Sequence, residues 1–62
     1  MNTKKLTTKD GKIIFVNLDL ATNIWQSGRG NVTVIRFDKD NDVFVTETPE
    51  EIFQLPSVYN VQ

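Results

Sequence analysis

Turn-forming residues recur about every ten residues along this 62-residue chain, a spacing that leaves room only for short elements. Asp10-Gly11, the Gly-rich run 28–31 and the polar run 38–42 separate segments rich in β-branched and aromatic residues. This pattern is typical of an antiparallel β meander. The sequence therefore predicts one small, mainly β domain spanning residues 1–62, with a sheet of about five strands that is partly curled or barrel-like. The strands are expected near residues 4–8, 12–17, 22–27, 32–37 and 43–47.

Local signals within this meander predict a hairpin and a short helical turn. Asp10-Gly11 is typical of a type I′ turn, in which both central residues need a positive φ. Further along, Asn17 or Asp19 can cap one brief helical turn, because their side chains accept hydrogen bonds from nearby backbone amides.

One helix is expected late in the chain, near residues 49–55. Thr48, Pro49 and Glu51 form the pattern of a capping box with proline at the first helical position. Pro56 ends the helix after about two turns. The tail 56–62 either packs on the domain or adds a final strand.

Neither face of the predicted strands is cleanly polar. In the strand 32–37, Val32 and Val34 share one face while Ile35 and Phe37 share the other. Either the sheet curls to cover both faces, or one apolar face meets a second copy of the chain. Small domains without disulfides or metals often self-associate, and this chain has no cysteine. A homo-oligomer is expected, with a dimer favoured and an unidentified protein partner left open. The candidate interface residues are Trp25, Ile35, Phe37 and Phe44.

The composition excludes several kinds of chemistry. Without cysteine or histidine, the chain has no thiol nucleophile and no histidine acid–base group. We expect no enzyme activity, no catalytic residue, no cofactor and no metal. The run 38–42 has the spacing that opens a calcium loop, but Val43 and Pro49 stand where that loop needs Gly and Glu. The run 38–42 is therefore interpreted as a solvated hairpin loop and not as a calcium site. The run 27–31 is interpreted as a turn with an exposed Arg29 rather than an anion-binding nest.

The first hairpin carries a basic cluster that suggests a second function. Four lysines against Asp10 give residues 1–12 a charge of +3, although the whole chain is at −1 with a pI near 5.1. Lysines beside strands that bear Phe15 and Trp25 could track and stack single-stranded nucleic acid. Lysines on an edge strand also prevent aggregation. The candidate nucleic-acid contacts are Lys4, Lys5, Lys9 and Lys12.

A series of short motifs runs along about residues 5–53. These motifs are Leu6-Thr7, the turn 10–12, Val16-Asn17, Asp19-Leu20, Ile24, the strand pattern of Val43, Val45 and Glu47, and Glu50-Glu51-Ile52. Their order resembles that of FlbD-type small proteins of flagellar and swarming motility. This resemblance implies a cytoplasmic, non-enzymatic accessory protein with no catalytic residues. We also find no apolar run of membrane-spanning length and no apolar stretch typical of a signal peptide at the N-terminus. The chain is therefore expected to be a cytoplasmic binding or regulatory module.

Overall fold

The computed structural model describes residues 2–28 and 30–58, and it confirms the mainly β architecture. Five strands and one short α-helix are present, with each boundary within two residues of the expected one. The elements are β1 (Thr3–Thr7), β2 (Ile13–Asn17), a 3₁₀ turn (Leu18–Leu20), β3 (Asn23–Gln26), β4 (Thr33–Asp38), β5 (Asn41–Val45) and α1 (Pro49–Gln54).

The strands form two antiparallel sheets that meet at one seam. One sheet is the β1–β2 hairpin, and the other has the order β3-β4-β5. An isolated bridge between Thr8 and Val45 joins them, and the Thr46 amide donates to the Thr7 carbonyl at 2.9 Å. The spatial order is therefore β2-β1-β5-β4-β3. In the described part of the chain β2 and β3 do not pair with each other, so the sheet is curled and not a closed barrel.

The hydrophobic core lies on one side of this sheet, which we call the inner face. Alternate residues of each strand point into it, because successive strand residues face opposite sides. Ile52 of α1 is fully buried there, so the helix covers part of the inner face. The core residues are Leu6, Val16, Leu18, Ile35, Val45 and Ile52. The opposite side of the sheet is the outer face.

The helix begins with the predicted capping box. The Glu51 amide donates to Thr48 Oγ1 at 3.1 Å, and the Thr48 amide donates to Glu51 Oε1 at 2.9 Å. Pro49 occupies the first turn. The 3₁₀ turn is also the one expected, with Asn17 Oδ1 accepting from the Asp19 amide at 2.9 Å.

The first hairpin is present, but its turn differs from the expected type I′. The Thr8 amide donates to the Lys12 carbonyl at 2.7 Å, and the Gly11 amide donates to the Thr8 carbonyl at 2.9 Å. The loop therefore has three residues, Lys9 to Gly11, and not two. Gly11 takes a φ of +90° as the left-handed residue that closes such a loop.

The second hairpin is tighter than predicted. Asp38 pairs with Asn41, so β5 starts two residues earlier than expected. The Asp38 carboxylate accepts from the Asp40 amide and from Asn41 Nδ2, both at 3.1 Å, and these bonds fold the polar run into a two-residue turn.

The C-terminal tail packs against the start of β1. The Val58 amide donates to the Thr3 carbonyl at 2.7 Å. The rest of the predicted tail, from 59 to 62, lies outside the described residues. Within the described ranges, no helix is long and apolar enough to cross a membrane.

Candidate protein interface

Three apolar side chains stand in register across the outer face of the three-stranded sheet. Trp25 of β3 pairs with Val34 of β4, and Val34 pairs with Phe44 of β5. Trp25 is 40% exposed and Phe44 is 39% exposed, whereas Val34 between them is only 6% exposed. Two large aromatic side chains therefore flank a buried aliphatic one. We call these three residues the aromatic row.

A cationic side chain lies over each of the two aromatic rings of the aromatic row. The guanidinium carbon of Arg36 lies 5.1 Å from the centroid of the Trp25 ring, and Lys9 Nζ lies 5.1 Å from the centroid of the Phe44 ring. Both distances are within the range of a cation–π interaction. Both rings remain partly exposed beside these cations.

Arg36 is itself fixed by an ion pair on the same face. Its Nε donates to Asp42 Oδ1 at 2.8 Å and its Nη2 donates to Oδ2 at 3.0 Å, a bidentate geometry between directly paired strand residues. These hydrogen bonds hold the pKa of Asp42 below its ordinary value, although partial burial opposes the shift. The pKa of Arg36 is raised in turn, chiefly by the hydrogen bond to Asp42.

The structure separates the four predicted interface residues into two groups. Trp25 and Phe44 lie together in the aromatic row. Ile35 is fully buried in the chain's own core, and Phe37 is half-buried and packs against that core. Both point to the inner face, because they alternate with Val34 along β4. We therefore remove Ile35 and Phe37 from the candidate interface.

Lys4 was predicted as a nucleic-acid contact in the basic cluster, and the structure shows that this prediction is wrong. Its stem is buried on the inner face beside Leu6, and its Nζ donates a hydrogen bond to the Leu55 carbonyl at the end of α1. Lys4 is therefore a structural residue and is not available to phosphates. The remaining members of the cluster, Lys5, Lys9 and Lys12, are exposed.

Two exposed apolar residues of the hairpin, Ile13 and Phe15, lie outside the interface predicted from the sequence, as does Val34. Of these three, Phe15 was expected only as a stacking surface for nucleic acid. Ile13 is 59% exposed and Phe15 is 61% exposed on the outer face of β2, where Phe15 stands directly opposite Lys5. Alternation within residues 12–17 separates Ile13 and Phe15 from Ile14 and Val16. It leaves open which pair is inside, because all four are apolar.

An open concavity with a volume of about 350 Å³ lies beside the 3₁₀ turn and β3. None of the described residues that line it is ionisable. Its lining is Asn2, Leu18, Ala21, Thr22, Asn23, Ile24 and Phe53.

The carboxylates of the 38–42 run have separate structural roles. Asp42 is bonded to Arg36, while Asp38 closes its own turn. Among the described residues, no group of three or more carboxylates is placed to hold a metal ion.

In the preceding loop the Ser27 amide donates to the Val32 carbonyl at 2.8 Å, which makes the expected turn. Arg29 lies outside the described residues.

Comparison with protein-family models, with curated proteins and with solved structures finds no match to this chain.

Proposed function

We propose that this chain is a small non-enzymatic binding module that acts through protein–protein contacts and self-associates. The observation that carries this proposal is the aromatic row, in which Trp25 and Phe44 stay exposed on both sides of Val34. Aromatic residues are enriched at the centres of protein interfaces, whereas a sheet face bound only by water is mostly polar.

Charge supports a second copy as the occupant of this face. Arg36 and Asp42 lie side by side next to the aromatic row. When two outer faces meet around a two-fold axis, Arg36 of each copy can face Asp42 of the other, so the surface is complementary to itself. A 62-residue domain without cysteine also gains stability from association, because its own core is small.

The test is the effect of Phe44→Lys on association, measured by light scattering over a range of concentrations. Because Phe44 is partly exposed, the variant is expected to fold. Its weight-average mass should fall below that of the parent chain, because a lysine desolvated at an interface is unfavourable. Phe53→Lys is the matched control, since Phe53 is exposed on α1 away from the row.

Fluorescence gives an independent measurement, because Trp25 is the only tryptophan in the chain. Its emission should shift to shorter wavelength as the parent protein is concentrated, and it should not shift in Phe44→Lys. Equal masses for the parent and Phe44→Lys at every concentration would contradict a contact through the aromatic row.

Single-stranded nucleic acid is the second candidate, favoured by one observation. On the outer face Lys5 stands opposite Phe15 and Lys9 lies over Phe44, which interleaves cations with stacking surfaces. Binding of this kind should weaken steeply with salt, whereas an apolar protein contact should not. Replacing Lys5, Lys9 and Lys12 with glutamine should abolish binding of a labelled oligonucleotide. No binding by the parent at low salt would reject this candidate.

A cytoplasmic accessory role of the FlbD type is part of the same proposal. Its support is the order of elements, from the Gly11 hairpin through the turn at Asp19 to the helix capped by Thr48 and Glu51. Deleting the gene in its host should impair swarming. Unchanged motility would contradict this accessory role.

A further inference from the structure

The β1–β2 hairpin has a free edge whose hydrogen-bonding groups can be assigned. The Thr8 amide bonds to the Lys12 carbonyl, which sets the phase of the antiparallel ladder. Hydrogen-bonded and non-bonded pairs alternate along such a ladder. Counting from the bonded pair Thr8–Lys12, the pair Leu6–Ile14 is hydrogen-bonded. The pair Lys5–Phe15 is therefore not hydrogen-bonded. The backbone N–H and C=O groups of Ile13 and Phe15 therefore point away from β1.

Contacts on the far side of β1 agree with this phase. The Thr7 amide donates to the Glu47 carboxylate at 3.0 Å, the Thr7 carbonyl accepts from Thr46, and the Thr3 carbonyl accepts from Val58. The backbone N–H and C=O groups of the odd-numbered residues of β1 thus point away from β2, as the alternation along the ladder requires. The same contacts protect that edge of β1, whereas no described strand pairs with the free edge of β2.

The free edge of β2 also lacks the features that usually prevent strands from pairing between molecules. From Ile13 to Asn17 it contains no charged residue and no proline, and its pairing with β1 has no bulge. The other edge strand, β3, has four residues, is half polar and contacts α1. Of the two edges, β2 is the one suited to add a strand.

We propose that β2 pairs antiparallel with β2 of a second copy, Phe15 against Phe15. Ile13 of each copy then faces Asn17 of the other, and all the paired residues have outward-pointing backbone groups. The exposed Phe15 rings meet across the strands, an arrangement in which aromatic pairs stabilise a sheet. This contact is separate from the one proposed for the aromatic row.

Charge decides the direction in which a second copy pairs with β2. Parallel pairing in register would place Lys12 beside Lys12. In the antiparallel pair the two Lys12 residues are separated by six residues along the strands, or about 20 Å at ~3.4 Å per residue. That distance exceeds the screening length of about 8–10 Å at physiological salt, so their repulsion is small.

The test uses amide hydrogen exchange by NMR in the Phe44→Lys variant, which removes the aromatic-row contact. When about nine chains in ten are paired, exchange at Ile13 and Phe15 should slow about tenfold relative to dilute protein, because only the unpaired tenth exposes these amides. Ile14 and Val16 are the internal controls, since their amides bond to β1 in either state. Light scattering should give a dimer for this variant.

Phe44→Lys with Phe15→Lys should then be monomeric, whereas Phe44→Lys with Leu20→Lys should stay dimeric. Leu20 is the matched control because it is as exposed as Phe15 but lies outside β2. A monomeric Phe44→Lys variant, or exchange at Ile13 and Phe15 that is independent of concentration, would overturn the β2 contact while leaving the aromatic-row proposal intact. Conversely, a Phe44→Lys variant with the parent's mass would reject only the aromatic row.

Discussion

The ammonium group of Lys4 donates a hydrogen bond to the backbone carbonyl of Leu55, so the first strand holds the end of the only described helix. The last carbonyls of a helix have no partner within the helix and carry a partial negative charge. The Lys4 ammonium group satisfies one of them, and the methylenes of the same side chain are buried on the inner face beside Leu6. Lys4, which the sequence places in a basic cluster, thus links β1 to the end of α1.

Lys4→Met should lower the free energy of unfolding by about 1–3 kcal/mol. Methionine keeps most of the buried stem but leaves the Leu55 carbonyl without its charged donor. Lys5→Met is the control, because Lys5 is exposed on the opposite face of β1. Urea melts of both variants give the comparison. A Lys4→Met variant as stable as Lys5→Met would show that the hydrogen bond contributes nothing.

Thr48→Ala should cost about 1 kcal/mol, because it removes the oxygen that accepts from the Glu51 amide. Thr48→Ser keeps a hydroxyl at the same position and should retain most of the stability. Chemical denaturation of the parent and both variants tests the cap. If serine and alanine lower stability equally, the hydroxyl is not the source of the effect.

Gly11→Val should destabilise by more than about 1 kcal/mol, since a β-branched residue strongly resists a φ of +90°. No atom lies within 4 Å of the Cβ that would be added, so the cost is conformational and not steric crowding by neighbours. Gly28→Ala is the comparison. It has equal space without a positive φ, and it should change stability by no more than about 0.5 kcal/mol. Thermal melts that rank the two variants equally would contradict the left-handed turn.

Thr33→Val should keep or raise stability by up to about 1 kcal/mol. Thr33 is buried, and its hydroxyl oxygen has no hydrogen-bond partner among the described residues. Replacing that hydroxyl with a methyl group removes the cost of burying an unpaired polar atom while preserving the β-branched shape. A loss of more than about 1 kcal/mol in urea melts would mean that the hydroxyl is bonded in solution.

Acid should remove the contribution of the Arg36–Asp42 pair. The pKa of Asp42 is lower in the folded chain than in the unfolded one, where it is near 3.9. Its stabilising contribution is therefore fully present above about pH 5 and is lost as the pH falls through the lowered value. The stability difference between the parent and Asp42→Asn should shrink from pH 7 to about pH 2. A difference that stays constant over this range would contradict the lowered pKa.

Elements governed by neighbouring residues could be predicted from the sequence, and those governed by distant contacts could not. The helix cap at Thr48 and the 3₁₀ turn after Asn17 depend on side chains within three residues of the backbone they bond. The burial of Lys4 depends on Leu55, far along the chain, and no local pattern encodes that contact.

The candidate interface shows the same division. Alternation along β4 separates Val34 from Ile35, but both are apolar, so which one faces the core depends on residues far along the chain, such as Leu6, Val45 and Ile52. Trp25 and Phe44 were predicted as candidate interface residues because of their type, and their exposure on the outer face keeps them candidates. Their alignment across Val34 depends on the register of three strands.

The orientation of the β2 edge has a consequence for the symmetry of the assembly. Pairing two β2 strands creates a two-fold axis perpendicular to the sheet, so both aromatic rows lie on the same side of the joined sheet and cannot meet each other. A row-to-row contact must then come from a second joined sheet, through an axis parallel to the sheet plane. Where these two perpendicular two-fold axes intersect, they generate a closed tetramer with dihedral symmetry. Four chains are therefore the smallest closed assembly in which both contacts are satisfied.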